Sequence, residues 1–577
     1  MKKITSIFRA VVIGIAVCVG VLSINLAHAD NHGDHSGYEI WGSDQSNSVA
    51  DVDARGVNGS WIWVWDSQDV EKQLETGEVA KPLGCDGSNQ PGDGPCNVYD
   101  VFLPSLVEYD KNGATGNTLG TDFGRLHGML PDPQNLYLNA NLFSPGRGYV
   151  GIIDGETKEA VALFRVSGTS AGRSVHMSFW NSDGSALLVA NLHGKVLERI
   201  DVSRDANGKI IDATLNQSAA LGLGKEMTIS DDAKVYLGTN SHGNPMLGSV
   251  AGSYDMVNAF GDLTPQGFCK ENGCDEGSDS ELGGRGNNVV ICPIVSANDN
   301  AYVTFGGGGL FVVNTKATPM TIVGEYDKQV VNGAGCGGAQ AGNRMWLNAG
   351  VSASGAGAEQ STFTIFSIDD LLFGPRSNTP NRPAPRMVFK DETNTATIGN
   401  LLGEATNTTG QLPGTTTRRD SHGMAVTLSG SHVHTVDRIQ NNVEVFDTAT
   451  LARTTYDLTS ADGQGNGLGA CAAVSVTDDS ALLGNDPAPD LLEPTPDGKY
   501  LVVALRGPVP VSVTHAAQGS CPGVGIIELL DDGASGRLAG VLRSTNKIDN
   551  SPTSAPGGQA YTGEEHSDVH GAAIRKK

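Results

Sequence analysis

The chain has 577 residues and a formal charge of −25, from 64 acidic against 39 basic side chains. That acid surplus excludes the basic stripe a nucleic-acid surface requires and suits a chain kept dispersed in an exposed compartment. Charged residues make up only 18%, glycine reaches 76, and no long helical period appears, so the composition predicts many short strands joined by turns.

Met1–Ala29 reads as a secretory signal. Lys2, Lys3 and Arg9 form a basic start, an apolar run from Val11 to Leu26 follows, and Ala27-His28-Ala29 is an A-x-A cleavage motif before Asp30. The run is short for a spanning anchor, and Cys18 lacks the small-residue setting of a lipid-attachment site. The expectation is a periplasmic or secreted protein that does not span a membrane. Loss of the three signal cations takes the −25 to about −28. Residues 30–36 form a polar tail in which His32, Asp34 and His35 offer loose ligands to a divalent ion, or simply fray.

Residues 37–577 carry an internal repeat, the mark of a β-propeller. Its clearest copy is Ser421–Thr427, then Ser431–Val436, then Asn442–Asp447: three strands separated by turns, the last ending in Asp. Copies begin at His127 and His176, and weaker ones near Glu226, Cys292, Cys336 and Glu493. Val569–Ile574 is an inner strand with nothing after it, whereas Tyr38–Trp41 and Trp61–Asp66 are second and third strands with no first. The two ends therefore complete one blade and close the ring, leaving no sheet edge open. The prediction is an all-β fold with a single propeller. Eight blades are counted, or seven if the copy at Glu226, which lacks a clean third strand, is not a blade. Loop insertions are expected near 67–122, 244–287 and 370–420. Trp61, Trp63 and Trp65 alternate and so belong to one packed face of a strand.

Eight cysteines follow the signal, an even number that favours disulfides after export. Cys85–Cys96 and Cys269–Cys274 would each close a small loop. Cys292, Cys336, Cys471 and Cys521 would pair among themselves in an order the spacing leaves open, and metal ligation by one or two of them is the alternative.

In a propeller the loop entering each inner strand and the turn between second and third strands open on one face. His127, His176, His422 and His570 begin inner strands, while His193 and His242 occupy second turns and His515 a long loop at the same point of its blade. Asp122, Glu226, Asp420, Glu493 and Asp568 stand beside inner-strand starts, with Arg125, Arg173, Arg438 and Arg506 nearby. Imidazole is a preferred ligand for copper and zinc, and carboxylates orient it. The seven histidines are thus candidate metal ligands, and Arg125, Arg173 and Arg438 candidate anion holders. The bland alternative is that a His-Gly at an inner strand only bonds the neighbouring blade.

The repeat grammar resembles the YVTN-type and nitrous oxide reductase-like propeller superfamily, over most of the mature chain but through a loose motif. That resemblance implies the fold and no single function. No C-x-x-C-H occurs, so c-type haem is excluded; there is no P-loop for a nucleotide, and the Trp-bearing repeats of quinoprotein (PQQ) enzymes are missing. The copper motif of nitrous oxide reductases is absent too: Cys269 and Cys274 stand one residue too far apart, and no cupredoxin segment follows. No H-E-x-x-H is present.

Three functions remain. The first is an exported propeller binding copper, zinc or a small ligand at a His-rich channel mouth, as a metal-dependent oxidoreductase or a metal carrier. The second is a non-catalytic scaffold that captures a protein or glycan through its long loops. The third, a hydrolase or lactonase using one divalent ion, ranks last because such sites favour carboxylate and amide ligands. Whether the protein is an enzyme is left open at this level.

Overall fold

A computed structural model describes residues 37–46, 60–85, 92, 94–98, 101–102, 126–143, 148–223, 228–254, 290–306, 309–326, 331, 335–349, 363–373, 385–391, 419–476, 484–508, 518–545, 565 and 567–577. The signal and the polar tail lie outside these residues. So do His515, Arg125, Asp122, Glu226, Cys269, Cys274 and most of the three insertions. No described helix is long and apolar enough to cross a membrane.

Each blade is an antiparallel sheet in which residues of period two alternate between two apolar faces. Blade 1 comprises Tyr38–Asp44, Trp61–Asp66 and Cys96–Asn97, with Val569–Lys576 as its inner strand. The other inner strands are Leu126–Pro131, Val175–Trp180, Val290–Val295, Gly338–Ala341, Ser421–Val426 and Pro489–Pro494, leading blades 2 to 7. The count is seven.

The copy expected near Glu226 is not a blade. Its described part is short: Ile229–Asp231 pairs with Gly168–Thr169, Lys234–Val235 extends the outer edge of blade 2, and Ser249–Ala251 runs parallel along the edge of blade 3. With no apolar alternation, this stretch builds no sheet face of its own and covers edges that would otherwise be open.

The insertions also contribute to blades. Within 67–122, Ser67–Thr76 is a helix, capped by the Asp66 carboxylate on the Gln68 amide and closed at Gly77, whose left-handed backbone returns its N–H to Gln73 O at 2.9 Å. Arg386–Lys390, within 370–420, is the outer strand of blade 5.

Seven apolar cores lie between neighbouring blades, one per interface. Trp61, Trp63 and Trp65 turn from blade 1 toward Val502, Val524 and Ile526 of blade 7, while Ile62 and Val64 turn the other way toward Leu138 and Ile153 of blade 2. Trp63 and Trp65 stack at 5.8 Å. The ring closes through Val569–Lys576 against Tyr38–Asp44, with Ile40 opposite Ile574 and Trp41 opposite Ala573. Asp44 reinforces the joint, accepting from Ser567 Oγ at 2.7 Å and from the Asp568 amide at 2.9 Å.

Among the described residues three disulfides are formed: Cys85–Cys96, Cys292–Cys336 and Cys471–Cys521. The first is the pairing expected from the short loop. The other two resolve the pairing that spacing left open.

Because Val569–Lys576 supplies the inner strand of blade 1 and contributes to the cores on both of its sides, deleting residues 569–577 should abolish cooperative unfolding. Differential scanning calorimetry should then show no single transition where the full chain shows one; an unchanged transition would refute closure by this strand.

Candidate metal centre at the channel mouth

The inner strands share one irregularity. Pairing in blade 2 steps from Leu126–Leu142 to Gly128–Asn141, so His127 is the extra residue of a bulge. Comparable steps occur at His176, Cys292, His422, Asp490 and His570. A bulge re-aims a side chain and ends regular pairing. Here six blades each turn one ligand-type residue toward the axis, and blade 5 adds Cys336 just before its inner strand.

The neighbouring glycines permit the approach. A Cβ at Gly423 would lie 2.2 Å from Asp490 O, and one at Gly571 would lie 2.6 Å from Ser43 Oγ and 3.3 Å from Gly128 Cα. The His-Gly pairs therefore serve packing as well as chemistry: histidine points inward while glycine lets adjacent inner strands touch.

The four histidines at inner-strand starts converge. Ring centroids of His127 and His176 are 4.0 Å apart, those of His127 and His570 3.9 Å, and those of His422 and His570 5.4 Å. His570 Nδ1–H donates to the His127 carbonyl at 2.8 Å, which leaves the Nε2 lone pair free and 3.8 Å from Asp490 Oδ2. His422 Nδ1 meets Asp490 Oδ1 in a short contact. Ligand atoms of His422, Asp490 and His570 all lie within 4.8 Å of one another, and all three residues are buried. His127 is 4% exposed, yet neither of its ring nitrogens has a hydrogen-bond partner.

Asp490 is held from behind. Arg506 donates Nη1 to Asp490 Oδ2 at 2.9 Å and grips Asp568 with Nε and Nη2 at 2.6 and 2.9 Å. Arg438 donates Nε and Nη2 to Asp420 Oδ2 at 3.0 and 2.6 Å, and its Nη1 stands 3.5 Å from Asp490 Oδ2. Burial opposes ionisation of Asp490, but the adjoining His422 and His570 and the Arg438 guanidinium outweigh it and hold the carboxyl well below its usual range. Burial, joined by mutual repulsion of the rings, lowers His127 well below the usual imidazole range and His176 to about 3. Burial likewise lowers His570, with Asp490 opposing. Imidazoles kept neutral this way present lone pairs, the form a metal needs.

The remaining candidates are placed elsewhere. His193 sits on the rim, with Nδ1 2.8 Å from Ser174 Oγ and its ring 6.1 Å from Phe143, which also borders His127 and His176. His242 does not reach this mouth. It stands 3.1 Å from Glu159, in the turn after the third strand of blade 2, and antiparallel alternation puts that turn at the opposite end of the channel. Its segment is edge cover rather than a blade, so it has no second turn on the mouth side. Arg173 pairs with Asp231 at 2.6 Å, and Arg438 with Asp420, so neither presents an open fork to an anion.

Asp490 was missed from sequence because the weaker copy was placed at Glu493, three residues late. The signal existed: Asp490 holds the position that His422 holds in the preceding blade. Glu493 instead faces the channel below the histidines, in a cavity of about 40 Å³ that Met129, Met177 and Met424 also line. That volume admits a water or two and no organic substrate.

No protein-family model matches the chain, and no curated protein matches its sequence. Solved structures do resemble it. The periplasmic gluconolactonase of Pseudomonas aeruginosa is 10% identical, with 92% of this chain and 98% of that chain covered at a TM-score of 0.42. A protein from Lactobacillus plantarum is 10% identical, covering 93% and 99% at 0.41. Hydrazine synthase of Kuenenia stuttgartiensis is 13% identical, covering 72% and 79% at 0.35. At these identities the likeness concerns the fold and nothing more. What fold and sequence define together is a seven-bladed β-propeller.

Burial raises the Glu493 carboxyl to about 7 from an ordinary 4.5, so ionising it costs the folded state. Stability contributed at this position is present below about pH 4.5 and is lost as pH rises through 7. Glu493→Gln cannot ionise, so its melting temperature should exceed the parent's at about pH 8 and match it near pH 4.5. Parallel thermal melts at the two pH values check this; a gain confined to acid pH would contradict it.

Proposed function

We propose that this protein is an exported propeller that holds one divalent transition ion, zinc or copper, at the channel mouth through His422, Asp490 and His570. The observation that carries the reading is the meeting of these three buried ligands beside His127, a buried imidazole with both nitrogens unpartnered. An unpaired polar group in a protein interior costs about 1–3 kcal/mol, which favours a site that recruits a partner.

Charge supports it. Asp490 lies within a network of Asp420, Asp568, Arg438 and Arg506, which holds its carboxylate in place for a cation. A metal ion competes with protons for its ligands, so affinity rises with pH. The His570 bond to the His127 carbonyl and the grip of Arg506 on Asp490 are the outer contacts that orient ligands in metal sites.

Three disulfides and the signal-like start fit an oxidising compartment. Because the cavity below the ligands is so small, any reactant would have to approach from the open face. Holding the ion is thus the primary role, and a carrier is the simplest form of it.

Mature protein purified without an affinity tag should bind about one equivalent of zinc or copper, read by calorimetry and elemental analysis. His422→Ala with His570→Ala should weaken that binding about 100-fold or more without changing the melting temperature of the metal-free protein by more than a few degrees. Retention of full affinity by that variant would overturn the assignment.

A further inference from the structure

The other half of the same ring of inner strands has a different chemistry. Cys292 sits at the bulge of blade 4, and Cys336 enters the inner strand of blade 5; their disulfide ties two adjacent blades together at the axis. His176 of blade 3 places Nδ1 3.7 Å from Cys292 Sγ and 3.7 Å from Cys336 Sγ. Its ring also hydrogen-bonds the backbone at Ile291, which orients it. Of the three described disulfides this is the one with an imidazole against both sulfurs; Cys471 Sγ meets a hydroxyl, Ser520 Oγ, at 3.4 Å.

We propose that Cys292, Cys336 and His176 form a redox-gated site for a thiophilic cation, Zn²⁺ or Cu⁺, closed while the disulfide is intact and opened by a dithiol reductant. This site is separate from the His422–Asp490–His570 centre and does not depend on it.

Distances support the assignment. A zinc ion bound at about 2.3 Å to sulfur and 2.1 Å to nitrogen, with tetrahedral angles, sets the two donors roughly 3.6 Å apart. Both sulfur–nitrogen separations here are 3.7 Å, so the imidazole already stands where a cation would require it. Opening the disulfide need only spread the two sulfurs to roughly 3.8 Å, the separation of two thiolates on one zinc.

The electron balance is simple. One thiolate of the reductant attacks a sulfur of the pair, forming a mixed disulfide and releasing the other sulfur as a thiolate. The reductant's second thiolate then displaces the first sulfur. The protein gains two electrons and two protons, and the dithiol leaves as its own disulfide. The cation then forms two metal–sulfur bonds, releases those two protons, and takes the lone pair of His176 Nδ1. Cys336 retains 7% of its surface while Cys292 is fully buried, so Cys336 Sγ is the sulfur a reductant meets first.

The test is cobalt(II) titration of the full mature protein, oxidised and after phosphine reduction with the phosphine removed without air. Thiolate-to-cobalt charge-transfer absorption should appear only in the reduced protein. It should be absent from Cys292→Ser/Cys336→Ser, although that variant keeps the other four paired cysteines. His176→Ala retains all the cysteines and guards against a misfolded double variant; it should weaken cobalt binding by the reduced protein about tenfold or more.

Counting alkylated cysteines verifies that the pair opens in the folded protein. A pair that stays closed, a reduced parent without the band, or an undiminished band in the serine variant would each overturn the proposal. The histidine–carboxylate centre gives no thiolate band. His422→Ala with His570→Ala therefore weakens metal binding by the oxidised protein about 100-fold or more while leaving this signal, and failures of the two assignments remain distinguishable.

Discussion

Seven strands must meet around one axis, and their backbones cannot all approach closely while carrying ordinary side chains in regular register. The bulge resolves this crowding. At His127, His176, Cys292, His422, Asp490 and His570 the pairing with the second strand slips by one residue, and the extra residue turns inward. Glycine follows in three of these places, where a Cβ would strike the next blade. The candidate centre is thus a product of ring closure. Without the C-terminal strand there is no His570, no contact to the His127 carbonyl and no inner neighbour for Tyr38–Asp44.

Burial at this mouth then sets the chemistry. Arg438 reaches Asp490 from the preceding blade and Arg506 from its own, and the same two arginines bind Asp420 and Asp568. Three consecutive blades are therefore joined by one ionic network as well as by apolar cores. Buried ion pairs are weak sources of net stability, since desolvation offsets most of their attraction. Their value here is positional: they fix a carboxylate beside the imidazoles of His422 and His570. On the other side of the ring the same geometry delivers two sulfurs and an imidazole. One construction principle produces both a nitrogen–oxygen pocket and a sulfur–nitrogen pocket.

Repetition is legible because it is local. Strand alternation, the turn after each strand and the terminal Asp are set within a few residues, so the blades at His127, His176 and Ser421 read directly from the chain. So did the split blade, since Val569–Ile574 and Trp61–Asp66 each lack what the other has. The tryptophan stripe of that blade faces one neighbour, as period two requires. Where alternation fails, reading fails with it: the stretch after Glu226 looked like a blade from its spacing and is edge cover, and His242 accordingly lies at the far end.

By itself the sequence determined that strands repeat, that the ends share a blade, and that histidines sit at inner-strand starts, because each of these depends on neighbours along the chain. Only the tertiary structure decided the number of blades, the pairing of Cys292 with Cys336 and Cys471 with Cys521, and the entry of Asp490 into the cluster. These depend on which strand lies beside which, and on a one-residue slip in register that changes the direction of a side chain without changing the pattern that encodes it. The convergence of His127, His176, His422 and His570 stands between the two: their positions were written locally, and their meeting required the ring to close.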